Sequence, residues 1–334
     1  MAKILLTHSR EERETRFDDV AFAALEALGD VRVNAAGHVL GTAELAALAV
    51  GCDLIVCDRL TRVTDDFFAA APTIAAVCRA AVDIRNIEVD AASAAGVLVT
   101  HAGPTFVAAV SELTFGMIID LARGVTDAAT TYRSGSMPTA RMGVQLSGAT
   151  LGVIGYGAIG REVARLGRAF GMAVLATDPH VTPDRDDVRR VGLEDLLARS
   201  DFVVCLAISS PVTDRMIGAD ALARMKPTAY FLNLARGPLV DDDALKEALI
   251  RNRIAGAAID VGNEPGQMPR MDIAALSNVI ATPHVGGLTR QAAHAQAMET
   301  VGQVAEILSG RIPHGALNGV FARRMSEYRM GKRQ

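Results

Sequence analysis

Six residues near the middle of the chain, Gly155-Tyr156-Gly157-Ala158-Ile159-Gly160, constrain its fold more than any other stretch. They follow an apolar, strand-like run at 150–154 and lead into a helical pattern at 161–170, and Asp178 ends the next apolar run. A Gly-x-Gly-x-x-Gly turn between a strand and a helix, with an acid about twenty residues further on, is an arrangement that seats a dinucleotide. The first glycine permits the tight turn, the second lets backbone approach a pyrophosphate, and the third brings helix against strand. The helix N-terminus then faces the phosphates. A carboxylate at Asp178 accepts ribose hydroxyls and repels a 2′-phosphate, so NAD is preferred and NADP is not excluded. Arg185, Arg189 and Arg190 read as solvated helix-face charges rather than phosphate ligands.

The position of this turn leaves a whole α/β unit in front of it. With 334 residues, the chain also exceeds the roughly 250 to 300 residues that one hydrophobic core usually organises. Half the residues are hydrophobic, yet aromatics make up 4% and Trp is absent, so the cores must be aliphatic layers of the kind that parallel sheets bury. A formal charge of −4 offers no global attraction to nucleic acid or anionic lipid. No apolar run reaches membrane-spanning length, and the N-terminus carries no basic-plus-apolar signal segment. Cys52, Cys57, Cys78 and Cys205 lack paired Cys-x-x-Cys or His spacing. They read as buried thiols in a reducing cytoplasm, with no metal site.

Apolar runs and helical periodicity alternate along the chain. Strands are expected at 4–7, 31–33, 54–57, 74–77 and 97–100, with helices at 19–28, 65–70 and 88–95 and a short helix capped by Thr42 running to 50. A charged loop follows the first strand. One long helix is expected from Pro104 to about 131, then strands at 150–154, 173–177, 202–206, 229–234, 255–261 and 279–282, and a final helix at 289–308. The alternation predicts parallel sheets in two domains, one at 102–286 and a discontinuous one at 1–101 plus 287–334.

In open α/β sheets, ligands bind outside the carboxyl ends of strands. Three polar groups follow strands there. Arg236, in Asn233-Leu234-Ala235-Arg236-Gly237-Pro238, presents a planar guanidinium suited to a carboxylate. Asp260 and Glu264 follow the next strand, and His284, in Thr282-Pro283-His284-Val285-Gly286-Gly287, follows the last. A carboxylate near an imidazolium favours its charged form and fixes the ring, so such a histidine can give a proton to a bound molecule or take one from it.

In this order and spacing the motifs resemble the D-isomer-specific 2-hydroxyacid dehydrogenases, and the likeness extends over nearly the whole chain, including Asn86-Ile87-Glu88-Val89-Asp90-Ala91-Ala92. The resemblance implies an α/β protein with a Rossmann dinucleotide-binding domain inserted into a flavodoxin-like substrate domain. It implies that Arg236 binds the substrate carboxylate, that His284 is the acid/base with Glu264 its partner, and that Asp260 contacts the nicotinamide side. The cofactor shell would comprise Gly155, Tyr156, Gly157, Ala158, Ile159, Gly160, Asp178, Ala235, Arg236, Asp260, His284 and Gly286. Arg236, His284, Val82 and Asp83 would meet the small 2-keto or 2-hydroxy acid.

The chain departs from the family pattern at three places. Glu264 follows Asp260 by four positions instead of the usual five. Ala81-Val82-Asp83 stands where Gly-x-Gly is usual, so Asp83 brings a negative charge that either faces an acid substrate or points to solvent. Ala207-Ile208-Ser209-Ser210-Pro211 replaces the usual adenine-side loop. His8 with Arg10, and His101, follow strands of the first domain and read as charged-loop residues. The acid's side group is left open, although no regulatory extension is recognised of the kind that long phosphoglycerate enzymes carry. A sensor with this fold, binding NAD to recruit a partner, is the alternative to an enzyme. The nearly all-apolar helix after Pro104 points to a homodimer.

Overall fold

Short β-branched and aliphatic runs become buried parallel strands. The computed structural model describes residues 1–183 and 187–326. It divides into two units, Met1–Thr105 with Thr289–Gln334, and Phe106–Leu288.

The first unit holds β1 (Ala2–Leu6), β2 (Gly29–Val33), β3 (Leu54–Cys57), β4 (Ala76–Arg79) and β5 (Leu98–His101). They pair in parallel in the order β2-β1-β3-β4-β5, the flavodoxin-like order. Alternation along β1 sends Ile4 and Leu6 to one face, where Phe17, Ala21, Leu25, Val304 and Ile307 cover them, and Leu5 to the other, with Leu45, Phe67 and Phe68. The helix Arg290–Leu308, whose first turn is capped by Thr289, therefore completes the core of this unit. Backbone bonds from Leu317 to Val99 (2.9 Å) and from Arg324 to Gly96 (3.0 Å) tie the following segment to β5.

The second unit holds β6 (Thr150–Ile154), β7 (Ala173–Thr177), β8 (Val188–Arg190), β9 (Phe202–Cys205), β10 (Tyr230–Asn233), β11 (Gly256–Ile259) and β12 (Val279–Ala281). Their order, β12-β11-β10-β9-β6-β7-β8, is all parallel. Numbered from β6, this is the Rossmann order with one added strand, and it reverses direction between β6 and β9. Helices Val107–Arg123 and Ala158–Ala169 cover one face, and Leu193–Arg199 and Asp242–Ile250 the other.

Four local expectations are corrected. The charged stretch after β1 is the helix Arg10–Arg16, because Ser9 and Glu12 form a reciprocal capping box. Thr42 is the first helical residue rather than the cap; Glu44 reaches back to the Gly41 amide at 2.9 Å. The long helix ends at Arg123 because Gly124 takes a left-handed φ of 64°, and a second helix, Val125–Arg133, begins there. Arg189 and Arg190 lie on β8, not on a helix; Arg185, and the tail from 327, lie outside the described residues.

Candidate active site

The fingerprint glycines differ in what surrounds them. Gly155 has φ 93°, and a Cβ there would stand 2.7 Å from the backbone of Leu206 and Ala207. At Gly160 a Cβ would lie 2.1 Å from the Gly155 carbonyl oxygen, so that residue sets the contact of helix and turn. Nothing lies within 4 Å of a Cβ at Gly157. The helix that begins at Ala158 and Ile159 has no side-chain cap, which leaves its first amides available to a phosphate beside that open backbone. These are the features a dinucleotide pyrophosphate requires. Tyr156 is fully buried, so its side chain belongs to the core and only its backbone serves the turn.

Asp178 closes the same turn. Its carboxylate accepts from the amides of Tyr156 (2.8 Å), His180 (2.8 Å) and Val181 (2.9 Å). Burial would raise its pKa, but these amide bonds outweigh that and hold the group ionised below the ordinary aspartate value. Arg190 donates to Thr182 Oγ1 (2.8 Å) and to the Asp178 carbonyl (3.0 Å), stapling the loop after β7.

The second group of residues follows β10, β11 and β12. Asn233 accepts from the Ala235 amide at 3.1 Å and donates to the Arg236 carbonyl at 3.0 Å, which shapes the turn carrying Arg236. Gly237 packs so closely on the next loop that a Cβ would stand 2.3 Å from the Gly262 carbonyl. Asp260 is only 2% exposed. One of its oxygens accepts from Thr282 Oγ1 (2.6 Å) and the Val285 amide (2.8 Å), the other from the Gly286 amide (2.9 Å), and its carbonyl accepts from the His284 amide (2.9 Å). A buried carboxylate thus folds the loop on which His284 stands, with His284 itself at φ 54°, where non-glycine residues are uncommon. Asp260, expected on the nicotinamide side, accepts these three protein donors through its carboxylate.

His284 Nδ1 lies 3.2 Å from the Gly266 carbonyl. A carbonyl only accepts, so this contact selects the Nδ1–H tautomer and leaves Nε2 to exchange a proton. The expected Glu264–His284 pair is not formed. In the shortened loop, Glu264 opens the tight turn Pro265–Gln267, closed by bonds from Glu264 to Met268 (3.1 Å) and Gly262 to Gln267 (2.8 Å), and its side chain is exposed. The turn brings the Gly266 carbonyl to the ring in its place.

Residues 115–286 match the family model described as D-isomer specific 2-hydroxyacid dehydrogenase, NAD binding domain. The chain belongs to this family. Over 325 residues it is 35% identical to the D-3-phosphoglycerate dehydrogenase of Methanocaldococcus jannaschii, covering 95% of this chain but 60% of that relative's length. A solved structure from Thermus thermophilus is 30% identical, with a TM-score of 0.84 over 94% of this chain and 99% of its own. D-2-hydroxyisocaproate dehydrogenase, 22% identical with a TM-score of 0.85 over 95% and 100% of the two chains, shares the fold.

In this member of the 2-hydroxyacid dehydrogenase family, the Val82–Asp83 loop of the first unit is built without glycine. Asp83 accepts from the Arg85 amide (3.0 Å) and its guanidinium (Nε at 2.9 Å), an ion pair that offsets the charge Asp83 introduces. His8 is not a charged-loop residue; it is 2% exposed, packed against the Phe17 ring at 5.4 Å. Burial drives its pKa down to about 4 although Asp58 opposes the shift, so the ring is neutral at pH 7. Arg10 is exposed and pairs with Glu14, and His101 Nδ1 contacts the Ala102 carbonyl at 3.0 Å. The thiols of Cys57 and Cys78 are pushed up to about 12 and that of Cys205 to about 11 by burial, which makes them inert. Sequence reasoning missed Thr7, Asp58 and Arg79, buried polar residues at strand ends. The rule that singled out Arg236 applies to them equally: each is a polar residue at the carboxyl end of an apolar strand.

Proposed function

We propose that this chain catalyses the reversible, NAD-dependent reduction of a 2-keto acid to a D-2-hydroxy acid. The observation that carries the reading is a histidine held at a positive φ by a buried aspartate, its Nδ1 committed to a carbonyl, on a loop of the unit that also bears the dinucleotide turn. Arg236 anchors the substrate carboxylate by paired hydrogen bonds. When bound, reduced nicotinamide supplies the hydride. His284 Nε2 gives its proton to the oxygen of the former keto group, and in the oxidative direction the neutral ring takes the hydroxyl proton. NADP is a weaker alternative to NAD, because Asp178 stands ionised at the end of β7. A homodimer and a cytoplasmic location are part of the same proposal; the exposed Val125 and Tyr132 of the helix Val125–Arg133 support the first, and four free buried cysteines the second.

The test is oxidation of NADH and NADPH against a panel of 2-keto acids, with His284→Ala alongside. The name of the M. jannaschii relative puts oxidation of 3-phosphoglycerate in the same panel. Turnover that falls about 10²- to 10⁴-fold in the variant, the usual worth of a general acid/base, supports the reading. NADH binding without turnover of any acid overturns it in favour of nucleotide sensing.

A further inference from the structure

The carbonyl that meets His284 sits at the tip of an exposed hairpin. Two short legs are closed by the bonds from Gly262 to Gln267 (2.8 Å) and from Glu264 to Met268 (3.1 Å), with Pro265–Gln267 between them. No residue of that tip is buried, and Asn263, Glu264 and Met268 are exposed as well. The tip also holds an uncommon backbone. Gly266 and Gln267 stand at φ 74° and 61°, and the second is a conformation that residues with a Cβ rarely adopt. A segment that buries so little apolar surface keeps its place only through polar contacts.

Both legs are tied to the first turn of one helix, Asp242–Ile250. That helix is seated in the core by Leu245, Ala248 and Leu249, and Asp241 caps it by accepting from the amides of Asp243 and Ala244 (both 3.1 Å). Asn263, on the leg before the tip, donates through Nδ2 to Asp242 Oδ2 at 2.9 Å. Arg270, just past the other leg, donates through Nη1 to Asp243 Oδ1 at 2.7 Å. The same guanidinium grips Asp272 by two further bonds, Nε to Oδ1 (2.7 Å) and Nη2 to Oδ2 (2.9 Å), and Lys246 of the helix donates to Asp272 Oδ2 at 2.7 Å. Arg270 and Lys246 together hold the Asp272 carboxyl well below the usual carboxylate range. The Asp243 side chain is 86% exposed, and an isolated pair there would be worth little. A guanidinium shared between two carboxylates, one of them gripped at both oxygens, is a network and holds its geometry better.

We propose that Arg270 and Asn263 are positioning residues for His284: fastened to the helix Asp242–Ile250, they hold the Gly266 carbonyl against Nδ1 and keep the ring in the tautomer that exchanges protons through Nε2. The effect on turnover rests on the proposed dehydrogenase activity, whereas the effect on the ring does not, so the test has two arms. An imidazolium donates the same Nδ1–H bond with a full charge, and charge-assisted bonds are the stronger ones, so the carbonyl stabilises the protonated ring more than the neutral one. Release of the hairpin therefore lowers the pKa of the ring and lets its two nitrogens share the proton of the neutral form.

Nitrogen-15 NMR of the full chain labelled at histidine, with the His284 signals assigned by their loss in His284→Ala, reads tautomer and titration without turnover. Arg270→Ala and Asn263→Ala should each lower the His284 pKa by about 0.5 to 1 unit and mix the two tautomers, and Arg270→Lys should recover part of the loss. Removing a cation would by itself raise that pKa, and Asn263→Ala changes no charge, so a fall in both variants reports the carbonyl. Asp260, Glu264 and Arg236 are the same in every variant. In steady-state kinetics the pH–rate profile for reduction of a 2-keto acid should move down by the same interval. At neutral pH kcat then falls about 3- to 10-fold while the KM for NADH stays within about twofold. A shifted ring in a chain that reduces no 2-keto acid supports the positioning while the dehydrogenase reading fails. Where Arg270→Ala lowers the melting temperature by more than about 5 °C, Asn263→Ala, at its exposed position, decides. An unmoved His284 titration, or a fall in kcat with the pH–rate profile unchanged, overturns the proposal.

Discussion

The two units obey one topological rule and use it in opposite ways. Both are parallel sheets whose strand order reverses once, and in both the polar residues gather beyond the carboxyl ends of the strands. In the second unit that edge is made of backbone: glycines at Gly155, Gly157, Gly160, Gly237 and Gly286 bring loops together or leave open space, and amides are aimed outward. In the first unit the same edge is filled by side chains, with Thr7, His8, Asp58 and Arg79 each no more than 2% exposed. Backbone can cradle an extended phosphate chain because it presents many small donors. A packed set of side chains instead meets its own polar groups, as Thr7 meets Asp58 and Arg79 meets Asn86.

The largest expected effect tests the backbone edge. Gly160→Ala would drive a Cβ to 2.1 Å from the Gly155 carbonyl, so both the melting temperature and NADH affinity should collapse. Gly157→Ala meets nothing within 4 Å and should keep wild-type stability while losing NADH affinity, read by fluorescence titration. Undiminished NADH binding in Gly157→Ala would break the claim that open backbone is the cradle.

Next comes Asp260→Asn, which keeps the shape but turns one carboxylate oxygen into an NH₂, so that either the Gly286 amide or the Thr282 and Val285 donors lose their acceptor. The His284 loop should loosen, with kcat falling about 10- to 100-fold, in line with the cost of an unmet buried donor. If Asp260 acts through His284, the pH–rate profile should change as well; a fall confined to NADH affinity would make it a cofactor contact instead.

His8→Leu tests the side-chain edge. With its folded-state pKa depressed to about 4, His8 stays neutral while the unfolded chain protonates near 6.5. The unfolded state therefore binds more protons across pH 6.5 to 4, and stability falls as pH falls through that window, by up to about 3 kcal/mol. Urea unfolding should show this slope in the wild type and a flatter one in His8→Leu. Identical slopes would mean that the ring is not a buried neutral base. Smallest of all is Glu264→Gln, which should leave the pH–rate profile unshifted, because the Gly266 carbonyl and not Glu264 meets His284.

Much of this was legible in advance. The strands at 150–154, 173–177 and 54–57 and the helix at 65–70 coincide with the observed bounds, since continuous aliphatic runs between turn residues have few other ways to be buried. Asp260 illustrates the opposite. An acid after a strand reads as a ligand contact, but whether a carboxylate faces a ligand or a hydroxyl and two amides of a neighbouring loop depends on how β11 and β12 are paired. His8 escaped for the same reason: a histidine beside Ser9 and Arg10 looks solvated until the helix Arg10–Arg16 and Phe17 fold over it.

Glycine spacing, aliphatic alternation and the order of Arg236, Asp260 and His284 are local properties of the polymer, and by themselves they determined the sheet type, the dinucleotide turn and the family. Tertiary structure decided which atoms meet. The Gly266 carbonyl beside His284, the donors that meet Asp260, and the bond between Thr7 and Asp58 at the ends of β1 and β3 come from residues far apart in sequence. A local pattern records what each residue prefers, whereas hydrogen-bond partners are assigned only when separate strands are brought into register.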